Sequence, residues 1–441
     1  MTTFWCEHAV LPGGVRRSVR VVVDRGRILE VLADVPAEPG DTRLSGVVLP
    51  GLANGHSHAF HRALRGRTHD DGGNFWSWRE AMYAVTHRLD PETYHALARA
   101  VFAEMVLAGY TVVGEFHYVH HAADGRRYDD ANLMGKAVVA AAHEAGLRIT
   151  LLDTCYLAGG LTAGGHVALD EVQQRFSDGS VEAWADRVAQ LSDADMVRVG
   201  AAVHSVRAVP RADLAVVGEF AARDPRPLHV HLSEQPGENL ACEGFYGCSP
   251  TQLLAGEGLL TPATTLVHAT HLSDDDIDLI GGARSTACFC PTTERDLADG
   301  IGPARRLQDA GAPLSLGSDQ HAVIDPFEEV RGVEMHERLE SLERGRFGST
   351  DLLGMASLNG YRSLGWDDGG LIASGHLADL VAVRLDSPRT AGAGSHGVLY
   401  AATAADVTDV VVGGEQVVRD GLHRAGDVGK MLVDAIAAVR R

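Results

Sequence analysis

Histidine sets the chemical tone of this 441-residue sequence, with 22 copies against only two lysines, Lys136 and Lys430. His56-Ser57-His58 follows directly on a short apolar run. The alternation of an extended chain turns His56 and His58 to one side, where two imidazoles can share a metal ion. The pair alone is weak, because a chain this rich in histidine holds roughly one such spacing by chance. Three further apolar runs end in groups of the same kind: His229-Val230-His231-Leu232-Ser233-Glu234, His268-Ala269-Thr270-His271 and Gly317-Ser318-Asp319. His231 lies nearer its strand end than His229, so His231 is read as a ligand and His229 as a hydrogen-bonded core histidine. His271 and His321 are read as loop or supporting residues. His56, His58, His231 and Asp319 then form an N₃O set with a position left for water, the donor set of a catalytic zinc site. Water acidified by a metal still needs a base and a proton donor. Asp319 can take the water proton, His268 can hold the attacking oxygen in line, and Glu234 can protonate a departing nitrogen. By position alone Glu234 is equally well a solvated carboxylate or a helix N-terminal acid. The chemistry that suits the set is attack of water on an imine-like carbon with release of ammonia.

Groups so far apart in sequence meet only if a repeated architecture brings the ends of their strands together. Short β-type runs alternate with helical stretches between about residues 47 and 320, the pattern of parallel βα units. Eight strands are predicted: 47–53, 111–116, 147–153, 197–204, 227–232, 264–268, 285–291 and 313–319. Helices are predicted between several of them at 91–108, 131–145, 181–191 and 212–222, with another at 328–343 closing the ring. The count is that of an α/β fold, a (β/α)₈ TIM barrel, whose C-terminal rim collects the groups above. Residues 18–32, 378–385 and 407–419 alternate instead like antiparallel strands around turns such as Gly413-Gly414. The predicted domains are a small β-sandwich from residues 1–46 plus 375–441 and a catalytic barrel from 47–374.

Composition narrows the class further. A formal charge of -20 opposes nucleic-acid binding, which needs a basic face. A small anionic substrate is compatible, provided that arginines meet it inside a cleft. No apolar stretch approaches the roughly 18 residues that span a bilayer, and the first residues lack a secretory signal, so a cytoplasmic protein without membrane association is expected. The six cysteines contain no CxxC pair and read as free thiols, Cys288 and Cys290 as same-face strand residues. The oligomeric state is not legible, and a homodimer is kept as one option.

These residues resemble the amidohydrolase superfamily and, within it, the formimidoylglutamate deiminases. PGLANGHSHAFHRALRGRT from residue 50, NFWSWREAMY from 74, AGYTVVGEFHYVHH from 108, HSVRAV from 204, HVHLSEQPGE from 229 and LGSD from 316 are similar to that family's segments and come in the same order. GHLADLVAV, from 375, resembles the superfamily's return to its β-sandwich. The resemblance implies hydrolysis of N-formimino-L-glutamate to N-formyl-L-glutamate and ammonia in histidine degradation. It implies His56, His58, His231 and Asp319 as metal ligands, Glu234 and His268 as catalytic residues, and Arg79, Tyr118, Arg207 and position 61 as substrate contacts. Two-metal members of the superfamily use a carboxylated lysine on the fourth strand. Neither lysine here can reach it, so one zinc per chain is expected. This chain has His61 where better-known members carry glutamine, and a protonated His61 would make carboxylate binding pH-dependent. A purine, pterin or nucleoside-type deaminase is the first alternative, opposed by the two acid-binding arginines. A barrel that has lost its metal and serves as a binding module is the second, opposed by the full ligand set.

Overall fold

The computed structural model describes residues 1–68, 75–224 and 226–440, with backbone alone for 75–77. Asn74, which opens the NFWSWREAMY segment, and Arg441, the end of the predicted sandwich, lie outside the described residues.

Strands buried on both faces can be apolar throughout, and the runs predicted for the barrel are of this kind. Leu52–Ser57, Tyr110–His117, Arg148–Cys155, Val197–Val203, Leu228–Leu232, Thr264–His268, Thr286–Phe289 and Leu314–Leu316 form one eight-stranded sheet in sequence order. Every neighbouring pair is parallel. A parallel bridge between Ser57 and Asp319 joins the last strand to the first, so the sheet closes as the expected (β/α)₈ barrel. Local signals set the helices around it. Pro91–Ala108 begins at Asp90, whose carboxylate accepts the Thr93 N–H, and ends at Gly109, left-handed at φ 105°. The helices predicted at 181–191 and 328–343 run over Val181–Val188 and Pro326–Ser341.

The second sheet is built from both ends of the chain. It contains Thr2–Leu11, Gly14–Asp24, Arg27–Leu32 and Thr42–Pro50 from the N-terminal side, with Leu380–Val383, Val407–Val412, Glu415–Arg419 and Leu422–His423 from the C-terminal side. The strand predicted at 47–53 is divided. Val47–Pro50 pairs with Leu380–Val383 in the terminal sheet, and the barrel strand starts at Leu52. The apolar run hides this break because both pieces are buried. Gly51 marks it: a Cβ there would overlap Thr111 and lie 2.7 Å from the Asp379 side chain, so the chain crosses between the sheets where no side chain fits. Buried Asp379 ties the layers together, accepting from Arg148 Nε at 2.9 Å, Tyr361 Oη at 2.7 Å and Gly413 N at 2.6 Å.

Candidate active site

The first barrel strand delivers His56 and His58 to the C-terminal rim, both buried. Buried Glu115, at the end of the next strand, pins the turn between them. It accepts Ser57 Oγ–H at 2.6 Å and Ala59 N–H at 2.7 Å. His58 Nδ1 faces the Phe116 carbonyl at 3.0 Å, and His231 Nδ1 faces the His204 carbonyl at 2.9 Å. A carbonyl only accepts, so both rings carry hydrogen on Nδ1 and a bare lone pair on Nε2. Those two Nε2 atoms lie 3.4 Å apart, with His56 Nε2 3.2 and 3.0 Å from them. Asp319 Oδ1 completes the group at 3.3 Å from His56 and 3.4 Å from His58. Two bare lone pairs and a carboxylate that converge with a third imidazole nitrogen suit a cation. Donors about 2.0–2.1 Å from one tetrahedral ion would stand about 3.3 Å from each other, the spacing found here. Burial lowers the His58 pKa to about 3, helped by His56, and also lowers His56 and His231. Burial alone would raise Asp319, but His56 and the neighbouring histidines hold it well below the usual carboxylate range. At neutral pH the four groups are therefore in ligand form.

The rim backbone is strained where it aims these groups. Ser233, His268, Ala269, Asp319 and His321 all have left-handed φ, between 41° and 70°, which non-glycine residues rarely adopt. His268 Nε2 lies 3.8 Å from Glu234 Oε1 and its Nδ1 lies 3.5 Å from Glu294 Oε1. Burial works to lower the His268 pKa, but Glu234, Glu294 and Asp319 outweigh it and raise the value to about 10. A cavity of about 250 Å³ opens over the group, lined by His58, His61, Arg79, Tyr118, Arg207, His231, Glu234, His268 and Asp319 among others. Arg79 donates from Nε to Tyr83 Oη at 2.7 Å and stacks on that ring. Arg207 Nη2 lies 3.5 Å from Glu234 and its Nε 3.2 Å from buried Glu238. His61 Nε2 is 3.1 Å from Tyr118 Oη. Burial, with His58 beside it, holds the His61 pKa well below its ordinary value, so the protonated state that would have made it a pH-dependent anion contact is disfavoured.

The model of the amidohydrolase family matches residues 47–417. The formimidoylglutamate deiminase of Pseudomonas aeruginosa is 37% identical, the alignment covering 96% of each chain. The 8-oxoguanine deaminase of the same organism is 31% identical over 95% of this chain and 93% of its own. A crystal structure of an amidohydrolase from Brucella melitensis superposes with a TM-score of 0.92 at 32% identity, covering all of both chains. The chain belongs to the amidohydrolase family. Within it, the chain falls with the formimidoylglutamate deiminases, and it is a hydrolase of C–N bonds.

In this amidohydrolase every residue singled out from sequence as ligand, catalytic group or substrate contact reaches the cavity or its floor. The three other histidines do not. His229 is buried with Nε2 2.9 Å from the Ser363 carbonyl, a core position as expected. His271 Nε2 is 2.7 Å from the Asp299 carbonyl. His321 lies beneath the site, between Ser57 Oγ at 3.2 Å and Ser318 Oγ at 3.0 Å. Sequence reasoning missed Glu115, Glu238 and Glu294, which hold the HxH turn, Arg207 and His268. Glu115, inside the AGYTVVGEFHYVHH segment, and Glu238, the last residue of HVHLSEQPGE, stood in passages already marked, whereas Glu294 did not. His117, His120 and Asp153 are also close enough to share a metal ion. Asp153, however, already accepts two Arg187 N–H groups at 2.8 Å each and Trp184 Nε1 at 3.1 Å. That group has its cation built in. Among the described residues no helix is long and apolar enough to cross a membrane.

Proposed function

We propose that the protein is a zinc-dependent deiminase that hydrolyses N-formimino-L-glutamate to N-formyl-L-glutamate and ammonia, as in histidine degradation in the cytoplasm. The observation that carries this reading is one cavity holding a buried cation seat at its floor and two guanidinium groups, Arg79 and Arg207, in its wall. Three imidazoles and one carboxylate are a donor set that suits zinc, and His56, His58, His231 and Asp319 would hold one ion per chain. When bound, zinc supplies a nucleophile at neutral pH by acidifying water. The remaining work falls to the chain's own groups. Arg79 and Arg207 pair with the two carboxylates of the substrate, with Tyr118 and His61 closing around it, and the formimino carbon is left over the floor. Asp319 takes a proton from the water as its oxygen adds to that carbon, and His268, kept charged by its carboxylate neighbours, hydrogen-bonds the same oxygen. The formimino group enters as its protonated amidinium, so one proton from Glu234 brings the terminal nitrogen to three hydrogens; the C–N bond breaks, the hydrogen left on the added oxygen passes to Glu234, and ammonia leaves with the formyl product behind. Its place between His268 and Arg207 suits a group that must pass protons without binding the metal. We propose the domains as residues 1–50 with 375–441 and residues 51–374, the first boundary moved from 46 because Val47–Pro50 pairs with Leu380–Val383 in the terminal sheet.

A purine-type deaminase is the second reading, favoured by the likeness to an 8-oxoguanine deaminase. Two arginines in the cavity wall count against it. Ammonia release from N-formimino-L-glutamate, set beside 8-oxoguanine, adenosine and guanine, tests the choice. Turnover of the purines in preference to the formimino acid would overturn the proposal.

A further inference from the structure

Tyr83 closes the NFWSWREAMY segment, and its surroundings fix what its hydroxyl can do. Gln173, on the turn Gln173–Phe176, is almost wholly buried. Its Oε1 accepts the Asp170 N–H at 2.9 Å, which sets the orientation of the amide. Nε2 therefore points the other way, to Tyr83 Oη at 3.0 Å, Tyr156 Oη at 3.0 Å and the Gly159 carbonyl at 3.1 Å. That carbonyl can only accept, in agreement with the same orientation. From the other side Arg79 Nε donates to Tyr83 Oη at 2.7 Å. A hydroxyl has two lone pairs and one hydrogen. Neither Arg79 Nε nor Gln173 Nε2 can accept, and of the two Gln173 hydrogens one goes to the Gly159 carbonyl and the other is shared by the two tyrosine oxygens, so the Tyr83 hydrogen finds no use on either side. Among the described residues none accepts it, and Tyr83 lines the cavity beside Arg79 and Tyr156.

We infer that Tyr83 is a specificity-determining residue, a hydroxyl donor whose hydrogen Arg79 and Gln173 hold toward the cavity to bind the substrate carboxylate assigned to Arg79. The inference rests on the reading of the cavity as the seat of a small dicarboxylate. A carboxylate only accepts, so an oriented O–H beside a guanidinium fits it from a second direction. A primary amide in the same place would set its own N–H hydrogens against these donors. Burial raises the Tyr83 pKa against the pull of Arg79, so the hydrogen stays on the oxygen.

The test is calorimetric binding to the zinc-loaded protein of glutarate, which has both carboxylates and no reacting carbon, against glutaramide, which has neither charge. Tyr83→Phe is expected to weaken glutarate about 10-fold or more, the weight of a hydrogen bond to a charged group, while glutaramide and the melting temperature stay put. Gln173→Glu puts an acceptor where the donor stood and draws the Tyr83 and Tyr156 hydrogens away from the cavity, so glutarate weakens further still. Tyr83→Phe carries the test if the glutamate variant does not fold. Unchanged glutarate binding by Tyr83→Phe, an equal loss of glutaramide, or no binding of glutarate by the unmodified protein would each overturn the inference. Tyr83-dependent glutarate binding in a protein that releases no ammonia from N-formimino-L-glutamate would leave it standing and remove the proposed reaction instead.

Discussion

Among the described residues two buried clusters of histidine and aspartate lie in this barrel, and one of them asks for something from outside. In the group His56, His58, His231 and Asp319, the bare Nε2 lone pairs of His58 and His231 converge with His56 Nε2 and the carboxylate. In the group around Asp153 and Asp178, Arg187 fills the centre. It donates to both carboxylates and to the Asn132 side chain, and His121 Nε2 lies 3.2 Å from Asp178. Residue type does not separate the two clusters. The direction of hydrogens does, since one is a cation seat and the other a finished ion-pair network. The backbone differs in the same sense. Asp319 sits at a left-handed φ of 41°, whereas Asp153 lies within the regular strand Arg148–Cys155. Strain collects where groups must be aimed at something the fold does not contain.

The comparison can be broken most directly by removing a member of the open cluster. Asp319→Ala is expected to abolish ammonia release and metal binding together, read by metal analysis beside an activity assay. A variant that kept its zinc would place the seat elsewhere. Next in size, Glu234→Gln keeps shape but cannot cycle a proton, so turnover should fall about 10²- to 10⁴-fold with zinc and substrate binding retained. Loss of metal in that variant would make Glu234 a ligand. The closed cluster should respond in the opposite way. Arg187→Met leaves two buried carboxylates without their cation and should cost about 3–5 kcal/mol of folding stability, measured by denaturant titration, while the zinc content of the folded fraction is unchanged. Smallest in effect, Arg79→Met and Arg207→Met should each weaken N-formimino-L-glutamate about 10- to 150-fold while sparing a neutral formamidine. Equal losses on both substrates would show the arginines to be structural.

The barrel and the four converging groups were legible in the sequence because they ride on strand ends, where an apolar run followed by histidine or aspartate marks both element and rim. Distance from the strand end separated His229 from His231, and the two rings lie apart, His229 against the Ser363 carbonyl and His231 in the converging group. The residues that hold this set were not legible. Glu294 reaches His268 from a different βα unit, and Glu238 reaches Arg207 across a loop, so neither has a local signature. Tyr83 carries no local mark of its role, because its hydrogen is directed by Gln173, 90 positions away. The division of the run 47–53 between two sheets was hidden because burial on both faces leaves no polar residue to mark the boundary, and only Gly51 records the crossing.

Activity in this proposal depends on a single zinc ion held by His56, His58, His231 and Asp319 alone. Chelator-stripped protein titrated with zinc, with bound metal and ammonia release from N-formimino-L-glutamate read on the same samples, tests it most directly. Activity is expected to be absent at the start, to rise in proportion to bound zinc and to saturate at about one ion per chain. Full activity without metal, or a plateau reached only at two ions, would contradict it.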